Sequence, residues 1–248
     1  MAKLKWSRRL KRSTHEPAEL FRWNDRFTQR QFRRLALDEG LDAIRAALDD
    51  TRHVAVYHGC RISSTASYYE HGLRTADAQE LNTRAEQIIF SYEFRNVTRS
   101  RFNEALERQN GRDHGSLFVA LDSDGFLANA GHYLIYGSEH IQALANGCGF
   151  PLDELKRFGI PTLFEIHVPT EEIPECQLTF LAKKLLQTFE EHDIPEPTLY
   201  DASLHFSRPF PADWMKRHVH PEAIIDHVND RYFRRPYCYL NDVPHKPS

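Results

Sequence analysis

The stretch VAVYHGCRISS, residues 54–64, sets a histidine and a glycine at the end of an apolar run. Val54, Ala55, Val56 and Tyr57 read as a buried strand, and His58–Gly59 closes it. A buried imidazole needs hydrogen-bond partners, and a glycine lets another group approach the backbone closely. The pair is either a tight strand end or the floor of a ligand pocket. Downstream, Tyr133, Tyr136 and Glu139 follow one another at spacings of three and three. Read as one helix, that spacing puts two aromatic rings and a carboxylate on one face. Glu139 also has a plainer role open to it, because Ser138 can cap a new helix whose dipole favours a first-turn acid.

Other chemistry is thinly represented. HVHPEAIIDH, residues 218–227, packs three histidines and Asp226 together, with His218 and His220 on one strand face. Zinc is conceivable there, but the spacing matches no strong signature and no cysteine joins it, so no metal is expected. The four cysteines, at 60, 148, 176 and 238, form no C-x-x-C pair and read as free thiols of a reducing compartment. A Gly-rich phosphate loop, a G-x-S-x-G elbow and an HExxH helix are all missing, which removes support for common kinases, dinucleotide dehydrogenases and hydrolases.

The elements that must carry these residues follow from periodicity. Leu20, Phe21, Trp23, Phe27, Phe32, Leu35, Leu41, Ile44 and Leu48 recur mostly at three or four, which predicts amphipathic helix over 16–51. A strand is predicted over 53–58, a short helix over 64–72 ending at Gly72, and a long helical region over 78–110. SLFVALD, 116–122, is a second strand, followed by a helix over 126–145 with glycines at 131 and 137. PLDELKRFG is a short helix, TLFEIHV (162–168) a half-buried alternating strand, and 176–192 a helix. LYDASLHFSRPF is a further strand, and HPEAIIDHV a last strand or short helix. Helices followed by interleaved strands and helices predict an α+β fold. An N-terminal basic tail with helices occupies 1–52, and one core occupies 53–248.

Composition is ordinary for a globular chain of 248 residues, with 41% hydrophobic and 27% charged. The net charge of −3 does not suit a protein coated for nucleic acid. Residues 1–15 are basic, with six Lys or Arg and no acid before Glu16, and read as a solvated tail or as an RNA- or phosphate-binding arm. No run of about 18 apolar residues and no signal-peptide core are present, so the expectation is a soluble cytoplasmic protein without a membrane partner.

Three pieces in order, YHGCR (57–61), SLFVALD (116–122) and NAGHY (129–133), resemble the NAD-binding core of ADP-ribosyltransferases of the diphtheria-toxin and poly(ADP-ribose) polymerase type. The resemblance covers roughly residues 53–240 as an order of elements. It implies a split-sheet core and a transferase, of glycosyltransferase class, that uses NAD as substrate and breaks the nicotinamide–ribose bond. It further implies that Gly59 holds the nicotinamide amide through its backbone, that His58 bonds a ribose hydroxyl, and that Tyr133 stacks on the nicotinamide ring. Tyr136 and Phe118 supply further aromatic surface, and Arg61, just past the glycine, meets the pyrophosphate. The catalytic set it implies is His58, Tyr133 and a glutamate that stabilises the oxocarbenium-like charge. In the family that glutamate lies on a late strand, and here the matching strand, 199–209, has none. Glu139 is the first substitute, Glu165 the second and Asp201 the third. The acceptor, whether protein, nucleic acid or small molecule, is not specified. Two other readings keep the fold: an RNA 2′-phosphotransferase-like enzyme using Arg61, Arg74 and His132, and a non-catalytic NAD- or ADP-ribose-binding module.

Overall fold

The apolar run around Val54 becomes the central strand of a mixed sheet. A computed structural model of the chain describes residues 18–22, 39, 42, 45, 46, 48–91, 94, 96–109, 115–180, 203–226 and 236–237. The basic segment 1–15, most of the helix expected over 176–192, Asp201 and Cys238 lie outside the described residues. Helices and a largely antiparallel sheet make up the fold, which is α+β. Among the described residues, no helix is long and apolar enough to cross a membrane.

Strand β2, Thr51–Ile62, extends beyond the expected 53–58 at both ends. The reason is its partner: β4, Ile160–Pro169, pairs antiparallel with it from His53–Pro169 to Ile62–Ile160. The other edge of β2 is shared. Strand β1, Ala18–Phe21, lies parallel to residues 51–54, and β3, Leu117–Ala120, meets β2 at the Tyr57–Ala120 pair. Strands β5, Ser203–Phe206, and β6, Met215–Val219, form the outer edges, giving the order β5-β3-β2-β4-β6 with β1 beside β2. Strands β7, Ile224–Ile225, and β8, Pro236–Tyr237, pair separately.

Helix was expected across 16–51. Residues 39, 42, 45, 46, 48 and 49 are helical, but Ala18–Phe21 is a strand. Four residues on a sheet edge are too short to show their own period, and pairing with β2 overrides the helical spacing around them. The sheet therefore crosses the 52/53 boundary drawn from the sequence.

Strand alternation divides the side chains between two faces. On one face, Val54, Val56, Phe164, Ile166 and Val168 are buried in a core with Leu117, Val119 and Leu204. Helix α1, Ala66–His71, covers this face and stacks Tyr68 on Phe164 with centroids 4.5 Å apart. The opposite face carries Tyr57, Gly59, Arg61, Leu163, Glu165 and His167. Over it lies a second core built by helices α2, Ala78–Ile89, and α3, Arg99–Gln109, with α4, Ser123–Asn129, α5, His132–Tyr136, and α6, Glu139–Cys148. With both faces covered, β4 is buried almost throughout, where alternation in the sequence predicted a half-buried strand.

The expected helix over 126–145 is three helices. Gly137 adopts φ +89, a left-handed conformation that favours glycine, and separates α5 from α6. Gly131 separates α4 from α5 at a crossing of β7: a Cβ there would lie 2.5 Å from the Ile225 carbonyl oxygen. The long region 78–110 likewise divides into α2 and α3, and PLDELKRFG forms a 3-10 turn, Leu152–Arg157.

Candidate functional site

Past Tyr57, the edge of β2 comes away from β3. The β2–β3 register ends at Tyr57–Ala120; carried on antiparallel, it would set Gly59 against Phe118. Instead, the Phe118 carbonyl accepts a hydrogen bond from His58 Nδ1 at 3.1 Å. An imidazole wedge replaces the next backbone pair. Two residues on, the Arg61 carbonyl is taken by Arg84 Nη2 at 2.7 Å. Side chains thus serve the edge on both sides of Gly59. A nitrogen facing a carbonyl oxygen must carry the proton, so His58 Nε2 is the ring's acceptor. Burial lowers the His58 pKa, against the opposing pull of the Phe118 carbonyl, which keeps the ring neutral near pH 7.

Phe118 lies on the same face as Gly59 and is 51% exposed, an unusual state for a phenylalanine on an inner strand. Its ring packs on His205, centroids 4.9 Å apart, and His205 Nε2 meets Ser116 Oγ at 3.1 Å. Tyr133 does not lie directly on Gly59. Phe126 does: a Cβ on Gly59 would sit 2.3 and 2.4 Å from Phe126 Cε1 and Cζ, and 3.2 Å from Leu134 Cδ2. Tyr133 is the next layer, stacked on Phe126 with centroids 6.1 Å apart. This close approach gives a direct test. Gly59→Ala is expected to destabilise the fold by about 1–3 kcal/mol through overpacking. Adding Phe126→Leu should return most of that loss in denaturant titrations, and a Gly59→Ala protein as stable as the parent would remove Phe126 from this position.

Several expected site residues have other work. Arg61 is buried, and its guanidinium donates to the carbonyls of Phe158 and Leu134 at 3.1 Å each, of Gly159 at 2.7 Å, and of Lys156. Tyr136 is buried, donates its hydroxyl to Asp226 and offers no stacking surface. Glu139 shares no helix with the tyrosines. It is 63% exposed in the first turn of α6, where Ser138 accepts from the Ile141 amide, so the plainer reading of it is the observed one. His132 Nε2 stands 3.7 Å from Glu139, and Arg74 pairs with Glu80 at 2.7 Å on the surface, so each member of the alternative Arg61, Arg74 and His132 set has another partner. His218 accepts from or donates to Tyr69 at 2.7 Å, and His220 binds Thr162 and the Pro161 carbonyl. Among the described residues, no group of three or more His, Cys, Asp or Glu side chains is placed to hold a metal. Burial raises the Cys60 thiol to about 11, well away from a nucleophilic thiolate.

The polar centre of the sheet is elsewhere. Tyr57, Glu165 and Arg217 form one cross-strand row over β2, β4 and β6. Glu165 is only 4% exposed, and both its oxygens are engaged. Oε1 accepts from Arg22 Nη2 at 2.5 Å and His167 Nε2 at 2.9 Å; Oε2 accepts from Arg217 Nε at 2.7 Å, with Arg217 Nη2 in ion-pair contact at 2.6 Å. Arg22 Nη1 also donates to the Tyr57 hydroxyl at 3.1 Å. Burial alone would push the Glu165 carboxyl up; the bonds from Arg22, His167 and Arg217 outweigh it and hold the pKa at about 2.

Sequence reading found Glu165 but not its partners. Arg22 fell in a segment read as helix, and Arg217 lies just before His218, where the strand face read from the sequence begins. Phe126 carried no signal beyond an apolar helix position. No family model matches the chain, and no curated protein and no solved structure matches it either.

Proposed function

We propose that the chain binds NAD along the released edge of β2 and acts as an ADP-ribosyltransferase on an acceptor yet to be identified. The observation that carries this reading is the His58 wedge at the Phe118 carbonyl. It ends the β2–β3 pairing beside Gly59, which stays in register with Leu163 of β4, and on this reading the Gly59 peptide offers one donor and one acceptor there. A carboxamide such as that of nicotinamide presents the complementary acceptor and donor. His58 Nε2, neutral and unprotonated, accepts from a ribose hydroxyl. Phe118 provides the stacking surface, with its exposed ring on the face of Gly59; Tyr133 supports Phe126 from behind. Breaking the nicotinamide–ribose bond builds positive charge on the ribose, and a carboxylate nearby lowers that barrier.

A second reading, a module that holds NAD or ADP-ribose without turnover, is favoured by one observation. Of the described candidate acids, Glu165 is saturated by Arg22, His167 and Arg217, and Glu139 stands at the exposed start of α6 with His132 at 3.7 Å. The RNA 2′-phosphotransferase-like reading loses support because Arg61 spends its donors on backbone carbonyls and Arg74 pairs with Glu80.

Calorimetry with NAD and an assay of nicotinamide release separate these readings. His58→Ala is expected to weaken NAD binding about tenfold or more, and Phe118→Ala by roughly three- to tenfold. Phe118 is exposed, so its variant should fold as the parent does. Binding with release supports the transferase; binding without release supports the module. NAD affinity unmoved by both substitutions would sink the site.

A further inference from the structure

We propose that Arg22 and Arg217, held in place by the buried Glu165, form a phosphate-binding site on the sheet face that carries Gly59.

Three features separate this cluster from an ion pair that serves the fold alone. The first is charge. Two guanidinium groups, permanently charged, meet one carboxylate, and one positive charge is left over. Burial keeps His167 below its ordinary pKa despite the adjacent Glu165, so His167 adds no positive charge at neutral pH; the nearby Lys216 adds its field. A buried carboxylate is a costly way to join strands, since an apolar row of similar volume is commonly as stable or more so. Its return here is the fixed orientation of two arginines.

The second is backbone geometry. The register of β6 on β4 shifts between Glu165 and Ile166: Arg217 pairs with Glu165, but Met215, not Lys216, pairs with Ile166. Lys216 is an extra residue, a β-bulge. Without it, Met215 and Arg217 would point to the same face. With it, Met215 is buried in the core and Arg217 turns to the opposite face beside Glu165. Bulges that re-aim a side chain recur beside functional sites.

The third is access. Side chains of Arg217 and Arg22 are 66% and 35% exposed although the carboxylate that holds them is buried. Among the described residues, no acceptor takes Arg217 Nη1 or Arg22 Nε, so each fork keeps a donor for an incoming oxygen. Planar forks with spare N–H groups match tetrahedral oxyanions.

Phosphate is the shared chemistry, and it can come as a terminal or free phosphate or as the internal diphosphate of a dinucleotide. Tyr57, whose hydroxyl bonds Arg22, is two residues from Gly59 on the same strand face, about 7 Å along the strand, so both sources reach. The full-length protein is titrated with pyrophosphate and, separately, with NAD, by calorimetry at low salt. Pyrophosphate is expected to bind, and Arg217→Gln to weaken it about tenfold or more. Arg217→Lys, which keeps the charge and the fold but loses the fork, should fall between. Arg99→Gln, removing an exposed arginine paired with Glu86, should change nothing. If NAD affinity falls in parallel with pyrophosphate in Arg217→Gln, the dinucleotide's diphosphate is the source. If only pyrophosphate binding falls, the site takes a separate phosphate, whatever becomes of the NAD reading. Absence of pyrophosphate binding, or binding equal in parent and Arg217→Gln, overturns the proposal.

Discussion

Glu165→Gln lowers the stability of the fold by about 3 kcal/mol or more at pH 7, a fall of roughly 10 °C in melting temperature for a chain of this size. The amide keeps the shape of the side chain but turns one acceptor into a donor, which then faces Arg22, His167 or Arg217, all of them donors. Two guanidinium groups lose their counter-charge at a position only 4% exposed. The effect has a defined pH signature. The folded-state pKa, about 2, lies below the ordinary carboxyl value of 4.5, so the native state binds fewer protons than the unfolded chain between those values. The stabilisation is complete above about pH 4.5 and is lost as pH falls through about 2. The gap between parent and Glu165→Gln should therefore stay constant from pH 7 to about pH 4.5 and narrow below it. Denaturant titrations at several pH values measure it. A gap near zero at pH 7, or one that persists unchanged to pH 2, would show that the bonds from Arg22, His167 and Arg217 do not hold the carboxylate ionised. The same variant bears on catalysis. Nicotinamide release retained by the folded fraction of Glu165→Gln removes Glu165 as a candidate acid; release lost without a change in stability restores it.

The parts legible from sequence are those with a local signature. VAVYHG shows its strand through four consecutive apolar residues and its end through a polar pair. TLFEIHV shows the period of a strand, although not that both its faces are covered, because the helices over Glu165 and Leu163 come from distant segments. Gly131 was seen as an interruption and not as a break, whereas a new helix after Gly137, capped by Ser138, was one of two readings. What makes them breaks is the Ile225 carbonyl in one case and a positive φ in the other, neither written in the local pattern. The site divides along the same line. His58 and Gly59 were found because they are adjacent and odd in their context. The Glu165 cluster was not assembled, because Arg22 and Arg217 lie 143 and 52 residues from it and only sheet register brings them together. Arg61 misled for a related reason: a lone arginine after a glycine reads as a phosphate ligand, and only the turn at 156–159 shows where its donors go.

Arg61→Met should cost about 4 kcal/mol or more, placing it among the most damaging single changes in this chain. Methionine fills a similar stem but supplies no donor. Four carbonyl oxygens lose a charged partner together: Leu134 in α5, and Lys156, Phe158 and Gly159 in the turn that leads into β4. That turn cannot easily move to find water. Gly159 has φ +82, and a Cβ there would lie 2.9 Å from the backbone of Ile62, so the turn is pressed against the end of β2. A buried acceptor left without a donor costs about 1–3 kcal/mol, and four in one cluster share relaxation, so the sum is less than additive. Arg61→Lys tests geometry against charge: an ammonium has three donors from one point and cannot span carbonyls on two segments, so it should recover less than half of the loss. Thermal and denaturant unfolding give the magnitude, and amide exchange at residues 156–160 should accelerate in both variants. An Arg61→Met protein within about 1 kcal/mol of the parent would show that the clamp is dispensable. NAD affinity in the folded fraction then completes the assignment. Unchanged affinity leaves Arg61 as the bolt that fastens α5 and the β4 turn to the end of β2, whereas lost affinity in a stable variant would return it to the pyrophosphate role that the resemblance implied.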